Sequence, residues 1–361
     1  MSSKLKVGIV GGTGMVGQRF VTLLDQHPWF EVTGIAASAS SAGKTYEEAV
    51  QGRWKMAGPI PAGVAKLVVK NASEVEAVAA DVDFIFCAVD MKKDEIKALE
   101  EAYAKTGTPV VSNNSAHRWT PDVPMVIPEI NPEHNRAIEI QQKRLGTNRG
   151  FITVKPNCSI QSYVPALSPL RDFGISRIVA CTYQAISGAG KNFTDWPDMI
   201  DNVIPYIGGE EEKSEQEPLR IWGTLESGGI VKAAAPIITA QCIRVPVTDG
   251  HMAATFVSFD KKPSREEILA RWAAFEGLPQ KLNLPSAPKP FLRYFEEDNR
   301  PQTRLDRDQG NGMGITIGRL REDSLFHYKF VSLSHNTVRG AAGGAVLMAE
   351  LLKAEGYISA K

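Results

Sequence analysis

Hydrophobic and polar positions follow two regimes along the chain. In the first 150 residues, short apolar runs alternate with helical periodicities. Val7-Gly8-Ile9-Val10 is a short apolar run bounded by turn residues and reads as a strand; a helical pattern from Arg19 to His27 follows and stops at Pro28. Glu31 to Ala37 is a second strand. Asp83 to Val89 is apolar after its first residue, as in a parallel strand buried on both faces. A helix from about Lys93 to Lys105 closes at Thr106-Gly107, and Pro109 to Ser112 is the next strand. Strands alternating with helices predict a parallel sheet with helices on its faces. A helical run ending near Leu145 leads to Gly146-Thr147-Asn148-Arg149-Gly150, a boundary signal. Strand patterns dominate beyond it: Arg177 to Ile186, Gln241 to Val247, His251 to Phe259, Gly314 to Arg319 and Leu325 to Ser334. Helices are expected at Glu215 to Gly223 and, with a serine cap, at Ser264 to Phe275. Thr248-Asp249-Gly250 between two strands predicts a hairpin. From Asn336 a small-residue helix runs to Leu352 and is expected to return to the first unit.

The charge balance removes some function classes. Lys plus Arg and Asp plus Glu are 41 each, so nothing marks the chain for nucleic acid or an anionic membrane. No apolar run approaches the roughly 20 residues of a membrane span. Met1-Ser2-Ser3-Lys4-Leu5-Lys6 leads into a strand without the apolar core of a signal peptide. Cys87, Cys158, Cys181 and Cys242 form neither a CxxC pair nor a metal-ligand spacing, so a reducing, cytoplasmic setting and no metal are expected.

Candidate chemistry sits in the turns. Gly12, Gly14 and Gly17 fit G-x-G-x-x-G between the first strand and helix, with Thr13, Met15 and Val16 in the same turn. Such glycines permit a tight turn and bring a pyrophosphate close to a helix N-terminus, so a Rossmann-type dinucleotide-binding domain is expected. An NAD site would carry an acid near the end of the second strand. Here Ser38, Ser40, Ser41 and Lys44 stand there instead, which favours NADP. Asn113-Asn114-Ser115-Ala116-His117-Arg118 follows a strand at the carboxyl end of the sheet, where ligands bind; Arg118 is either an anion clamp or a surface ion pair. Cys158 follows Pro156-Asn157 and opens the amphipathic run Tyr163 to Leu170. It is either a thiol activated at a helix N-terminus or a small core residue. With a two-residue turn at Asp249-Gly250, alternation would put Arg244, Pro246, Thr248 and His251 on one face, Arg244 and His251 being about 13 Å apart along the strand. An exposed hairpin histidine is the alternative.

Taken together these residues resemble aspartate-semialdehyde dehydrogenases of the archaeal and fungal type, over nearly the whole chain. The resemblance is carried by residues 11–17, by Lys155-Pro156-Asn157-Cys158-Ser159, by residues 183–190, by Arg244-Val245-Pro246-Val247 with Asp249-Gly250-His251, and by Asn336-Thr337-Val338-Arg339-Gly340-Ala341. It implies that Cys158 is the nucleophile, His251 the acid/base and Gln184 the group orienting a thioester. Arg244 would hold a substrate α-carboxylate and Glu210 its α-amino group, with Glu211 and Glu212 as rival registers. Asn157 would shape the site, and Arg118, Lys213 and Asn114 would hold phosphate. Ser187, Gly188 and Asn336 would contact NADP. The implied reaction is NADPH-dependent reduction of L-aspartyl 4-phosphate to the semialdehyde, with release of phosphate, in a homodimer or homotetramer. The implied layout is an NADP-binding domain over 1–150, completed by 338–361, and an α+β catalytic and dimerisation domain with a mixed sheet over 151–337. N-acetyl-γ-glutamyl-phosphate reductases share the plan but read Pro-Gly-Cys, against Pro-Asn-Cys here. A malonyl-CoA reductase, or a silent NADP-binding regulator, are the remaining alternatives.

Overall fold

The computed structural model describes residues 4–361; Met1 to Ser3, on which the expectation of no leader partly rests, lie outside the described residues. The first sheet is built from β1 (Leu5–Val10), β2 (Phe30–Ala37), β3 (Lys70–Asn71), β4 (Phe84–Cys87), β5 (Val110–Ser112) and β6 (Ile152–Val154). All its pairings are parallel and its order is β3-β2-β1-β4-β5-β6. This is the doubly wound order, whose direction reverses between β1 and β4; a ligand crevice opens there beyond the strand ends. The central strands are mostly apolar because helices cover both faces, whereas the edge strand β3 is Lys70-Asn71. One of those helices comes from the far end of the chain: Ala342, Ala345, Val346, Met348, Ala349 and Leu352 pack with Val7, Ile9, Phe84 and Val111.

The second sheet takes β7 (Ile175–Gln184), β10 (Ile237–Arg244), β11 (His251–Phe259), β12 (Leu292–Phe295), β13 (Ile315–Glu322) and β14 (Tyr328–Ser334); β8 (Thr224–Glu226) and β9 (Gly229–Val231) form a separate ribbon. Its order is β10-β7-β11-β14-β13-β12, with mixed directions, so the expected fold class holds. The expected hairpin at Thr248-Asp249-Gly250 does not form. β7 lies between β10 and β11, pairing parallel with the first and antiparallel with the second. One face of this sheet packs Ile178, Ala180, Ala253, Val257 and Phe330 into the core. The other face stays half exposed, although Val179, Cys181, Tyr183, Met252, Ala254 and Phe256 lie on it.

Element ends shift where capping decides them. The first helix runs Met15–Leu24 rather than from Arg19, because it starts directly at the glycine turn. The acidic helix is Glu210–Ile221, one turn longer than expected, with Glu210, Glu211 and Glu212 favourably placed in its first turn. The helix at Arg265–Ala274 has the Ser264 cap, in a capping box with Glu267. The largest departure is behind Cys158. In place of one helix there is a 3-10 turn (Ser159–Gln161), a short α-turn (Val164–Leu167) and a second 3-10 run (Ser168–Phe173).

Candidate active site

A cleft of about 510 Å³ opens at the carboxyl ends of β1, β4, β5 and β6 and is roofed by the start of the second unit. Met15, Val16, Asn114, Arg118, Asn157, Cys158, Ser187, Gly188, Glu210, Lys213 and Asn336 all line it, so residues far apart in sequence meet there.

At the cofactor end, the glycine turn is fixed from behind. Gln18 Nε2 donates to the Thr13 carbonyl (3.0 Å) and Tyr46 Oη to the Gly12 carbonyl (3.0 Å). A Cβ at Gly17 would stand 2.3 Å from the Gly11 oxygen, so only glycine lets the first helix start this close to the turn. Ser38 and Ser40 are exposed at the end of β2 and hydrogen-bonded to each other (3.0 Å). Ser41 instead points inward at 2% exposure, which removes it from the surface that a 2′-phosphate would meet. Asn336 ties two loops of the second unit together, accepting from the Gly250 N–H (2.7 Å) and donating to Ser187 Oγ (2.9 Å). The cleft, the glycine turn at a helix start and the acid-free serine loop fit a dinucleotide with a 2′-phosphate.

At the chemical end, β7 brings three side chains into one row. Arg244 of β10 is in register with Gln184 of β7, and Met252 with Tyr183, which sets His251 beside Gln184 from the other side. The expected proximity of Arg244 and His251 is therefore real, but it arises across β7 rather than along a hairpin. Gly188 covers both: a Cβ there would stand 2.8 Å from Arg244 Nη1 and 3.0 Å from His251 Nε2. His251 is fully buried; its Nδ1 accepts the Ala185 N–H (3.0 Å) and its Nε2 has no partner among the described residues. Burial, and then the Arg244 charge, push its pKa down to about 3, so the ring is neutral at physiological pH.

Of the acidic run, Glu210 lines the cleft. It is the one turned into the cleft, accepting from Asn157 Nδ2 (3.0 Å) and Lys213 Nζ (2.7 Å), whereas Glu211 turns to Gln241. Burial raises its pKa, but the Lys213 ammonium and the Asn157 amide more than offset that and hold the carboxylate below its usual range. Gln184 Nε2 reaches the same carboxylate at 3.4 Å.

Two expectations need correction. The Cys158 thiol is not activated by a helix terminus, since no regular helix follows it. Its pKa is raised, first by burial and then by the Glu210 charge; Lys155, Arg118 and Arg244 recover only part of this. Arg118 is neither a surface pair nor a free clamp. It is buried, with Nη1 on Glu217 (2.8 Å) and Nε on the Lys155 carbonyl (3.1 Å), which leaves Nη2 for an anion. Sequence reasoning passed over Glu217 and quoted Lys155 in the nucleophile motif without giving it a role. Only the second carried a signal, a charged residue closing a buried strand. Asn114 is held by Glu100, which accepts from its Nδ2 at 2.9 Å and is itself fully buried.

Residues 6–138 match the family model of the semialdehyde dehydrogenase NAD-binding domain, and residues 167–339 that of the semialdehyde dehydrogenase dimerisation domain. An aspartate-semialdehyde dehydrogenase of Methanothermobacter thermautotrophicus is 45% identical, covering 96% of this chain and 99% of its own. The chain belongs to the aspartate-semialdehyde dehydrogenase family. One of Archaeoglobus fulgidus is 44% identical over 98% of this chain and 100% of its own. The structure of the Candida albicans aspartate-semialdehyde dehydrogenase with NADP superposes with a TM-score of 0.88 at 37% identity, covering 99% of this chain and 100% of that one. Archaeal and fungal members of the family thus align with this chain from end to end.

Proposed function

We propose that the protein reduces L-aspartyl 4-phosphate to L-aspartate 4-semialdehyde with NADPH, releasing phosphate, as a cytoplasmic homo-oligomer in aspartate-family amino-acid biosynthesis. The observation carrying this reading is the convergence of Cys158, Glu210 and Lys213 in one cleft, beside the Arg244–Gln184–His251 row. Arg244 grips the substrate α-carboxylate and Glu210 the α-ammonium; that ammonium neutralises the charge that raises the Cys158 pKa. Lys213, Arg118 Nη2 and Asn114 hold the phosphate. Cys158 Sγ attacks the acyl carbon, the bond to the phosphate oxygen breaks, and a thioester remains. Neutral His251, whose Nδ1 accepts the Ala185 N–H, carries its proton on Nε2 and donates a hydrogen bond from it to the oxygen of the tetrahedral adduct, Cys158 reacting as its thiolate. Gln184 Nε2 steadies the thioester carbonyl. Residues 12–16, Ser38, Ser40, Ser187, Gly188 and Asn336 would hold NADPH, which would supply the hydride. Residues 1–150 with 338–361 form the cofactor domain in this reading, and 151–337 the catalytic domain.

The test is NADP⁺ reduction with L-aspartate 4-semialdehyde in phosphate buffer, beside malonate semialdehyde with CoA. Phosphate-dependent turnover of the aspartate compound alone is expected; turnover only of the CoA pair would replace the substrate. Cys158→Ser is expected to lose turnover while retaining NADPH binding, and near-normal activity would remove Cys158 from the chemistry.

A further inference from the structure

One carboxylate beside the cleft has no part in the reaction above. Glu217 is 1% exposed and lies two turns along the acidic helix from Glu210, on the same face. Both of its oxygens are engaged, on different parts of the site. Oε1 accepts from Arg118 Nη1 (2.8 Å), and Oε2 accepts the Asn157 N–H (2.6 Å). Arg118 belongs to the loop after β5, whereas Asn157 directly precedes Cys158 in the turn after β6. One side chain therefore spans the anion-binding guanidinium and the nucleophile turn.

Each arm removes a freedom. Arg118 Nε is fixed on the Lys155 carbonyl (3.1 Å) and Nη1 on Glu217, so the planar guanidinium cannot rotate and Nη2 points one way. Pro156 has no N–H, so the Asn157 N–H is the first donor of the nucleophile turn, and Glu217 takes it. The Asn157 side chain is held by the other end of the same helix, Nδ2 donating to Glu210 (3.0 Å). The helix is in turn anchored to the segment that follows Arg118, since Arg220 Nη2 donates to the carbonyls of Thr120 (2.7 Å) and Val123 (3.0 Å). A glutamine cannot take the place of this carboxylate. Both neighbours are donors, and an amide has only one accepting end.

We propose that Glu217 is a positioning residue for the reaction, setting the Arg118 guanidinium against the Cys158 turn with one carboxylate oxygen on each. The inference rests on the reading above of Arg118 as a phosphate ligand and Cys158 as the nucleophile, and not on which acyl group is carried.

The test is protection of Cys158 from iodoacetamide by inorganic phosphate, read by peptide mass in the wild type, Glu217→Gln, Arg118→Met and the double variant. A phosphate on Arg118 covers the thiol and disfavours its thiolate, so alkylation of the wild type is expected to slow as phosphate is added. Glu217→Gln is expected to need about ten-fold more phosphate for the same protection, the loss of one aligned charge-assisted bond. An unchanged requirement would overturn the proposal. Arg118→Met is expected to lose at least as much. Adding Glu217→Gln to Arg118→Met is expected to cost no more than about two-fold further, because the carboxylate acts on phosphate through Arg118. A fully additive loss would overturn the proposal. Should Glu217→Gln not fold, Glu217→Asp keeps the charge but is one methylene short of reaching both donors. It is expected to lose about five-fold or more in phosphate requirement or in kcat, according to which arm lets go; wild-type values of both would overturn the proposal. Protection needs no acyl substrate. A Glu217-dependent phosphate site in a protein that does not turn over aspartate semialdehyde would reject the proposed substrate alone, whereas a wild type that phosphate does not protect would overturn this inference as well.

Discussion

Gly340 shows how little room the nucleophile has. A Cβ there would stand 2.8 Å from Cys158 Cβ and 3.3 Å from its Cα. Gly340→Ala must therefore push Cys158 or its own turn aside, and a displacement near 1 Å costs about 100-fold in rate. That loss is expected in kcat, with NADPH affinity within a few-fold of the wild type; an unchanged kcat would mean that the turn yields freely. His251 makes a second residue-scale prediction. Its pKa is about 3 in the fold, against about 6.5 in an unfolded chain. Between these values the unfolded state binds the extra proton, so stability falls as pH falls from about 6.5 and its contribution is complete above that. Relative to His251→Asn, the wild type is expected to lose roughly 1.4 kcal/mol per pH unit across this window, read from urea midpoints. A pH-independent difference would show that the ring is hydrated. Cys158 and His251 could be singled out from their own sequence contexts, whereas Glu210 entered only through the family resemblance, with Glu211 and Glu212 as rivals. The partner of Arg118 could not, because Glu217 is 99 residues away and looks like any other helix acid.

At the scale of elements, local rules succeeded where the deciding contact is local. The serine cap expected at Ser264 forms, and Glu267 completes it as a capping box. The glycine turn is the same case, since the close approach it needs lies within residues 11–17. Gly17→Ala would put a methyl 2.3 Å from the Gly11 oxygen and force the first helix away from the turn. It is expected to abolish NADPH binding in a fluorescence titration while Cys158 stays reactive to iodoacetamide; retained affinity would show that the pyrophosphate does not use this turn. The hairpin failed because turn chemistry at Asp249-Gly250 says nothing about which strand fills the space beside β11. β7, more than 60 residues earlier, takes that place through register with both neighbours. The continuous helix behind Cys158 failed for a different reason: Pro165 and Pro169 interrupt the amphipathic run, leaving 3-10 and α-turns that still bury Ile160, Val164 and Leu167.

At the scale of the molecule, the two sheets differ in what covers them. The first is covered on both faces, partly by the C-terminal helix. The second buries one face and leaves Val179, Cys181, Met252, Ala254 and Phe256 half exposed on the other, with Tyr183 at 37% exposure. An open sheet face normally alternates to polar residues, and a broad apolar one marks an interface. The match of residues 167–339 to a dimerisation domain supports a second copy as its cover. Ala254 lies mid-strand on that face, opposite Cys181, and three residues along β11 from His251. Ala254→Arg would set two charges against each other across a twofold axis. It is expected to halve the mass in sedimentation equilibrium. Because β7, β10 and β11 carry the Gln184, Arg244 and His251 row at one end, loss of the partner is also expected to lower kcat more than cofactor affinity. An unchanged mass would place the interface elsewhere, whereas a monomer with full activity would show that these strands hold the row unaided.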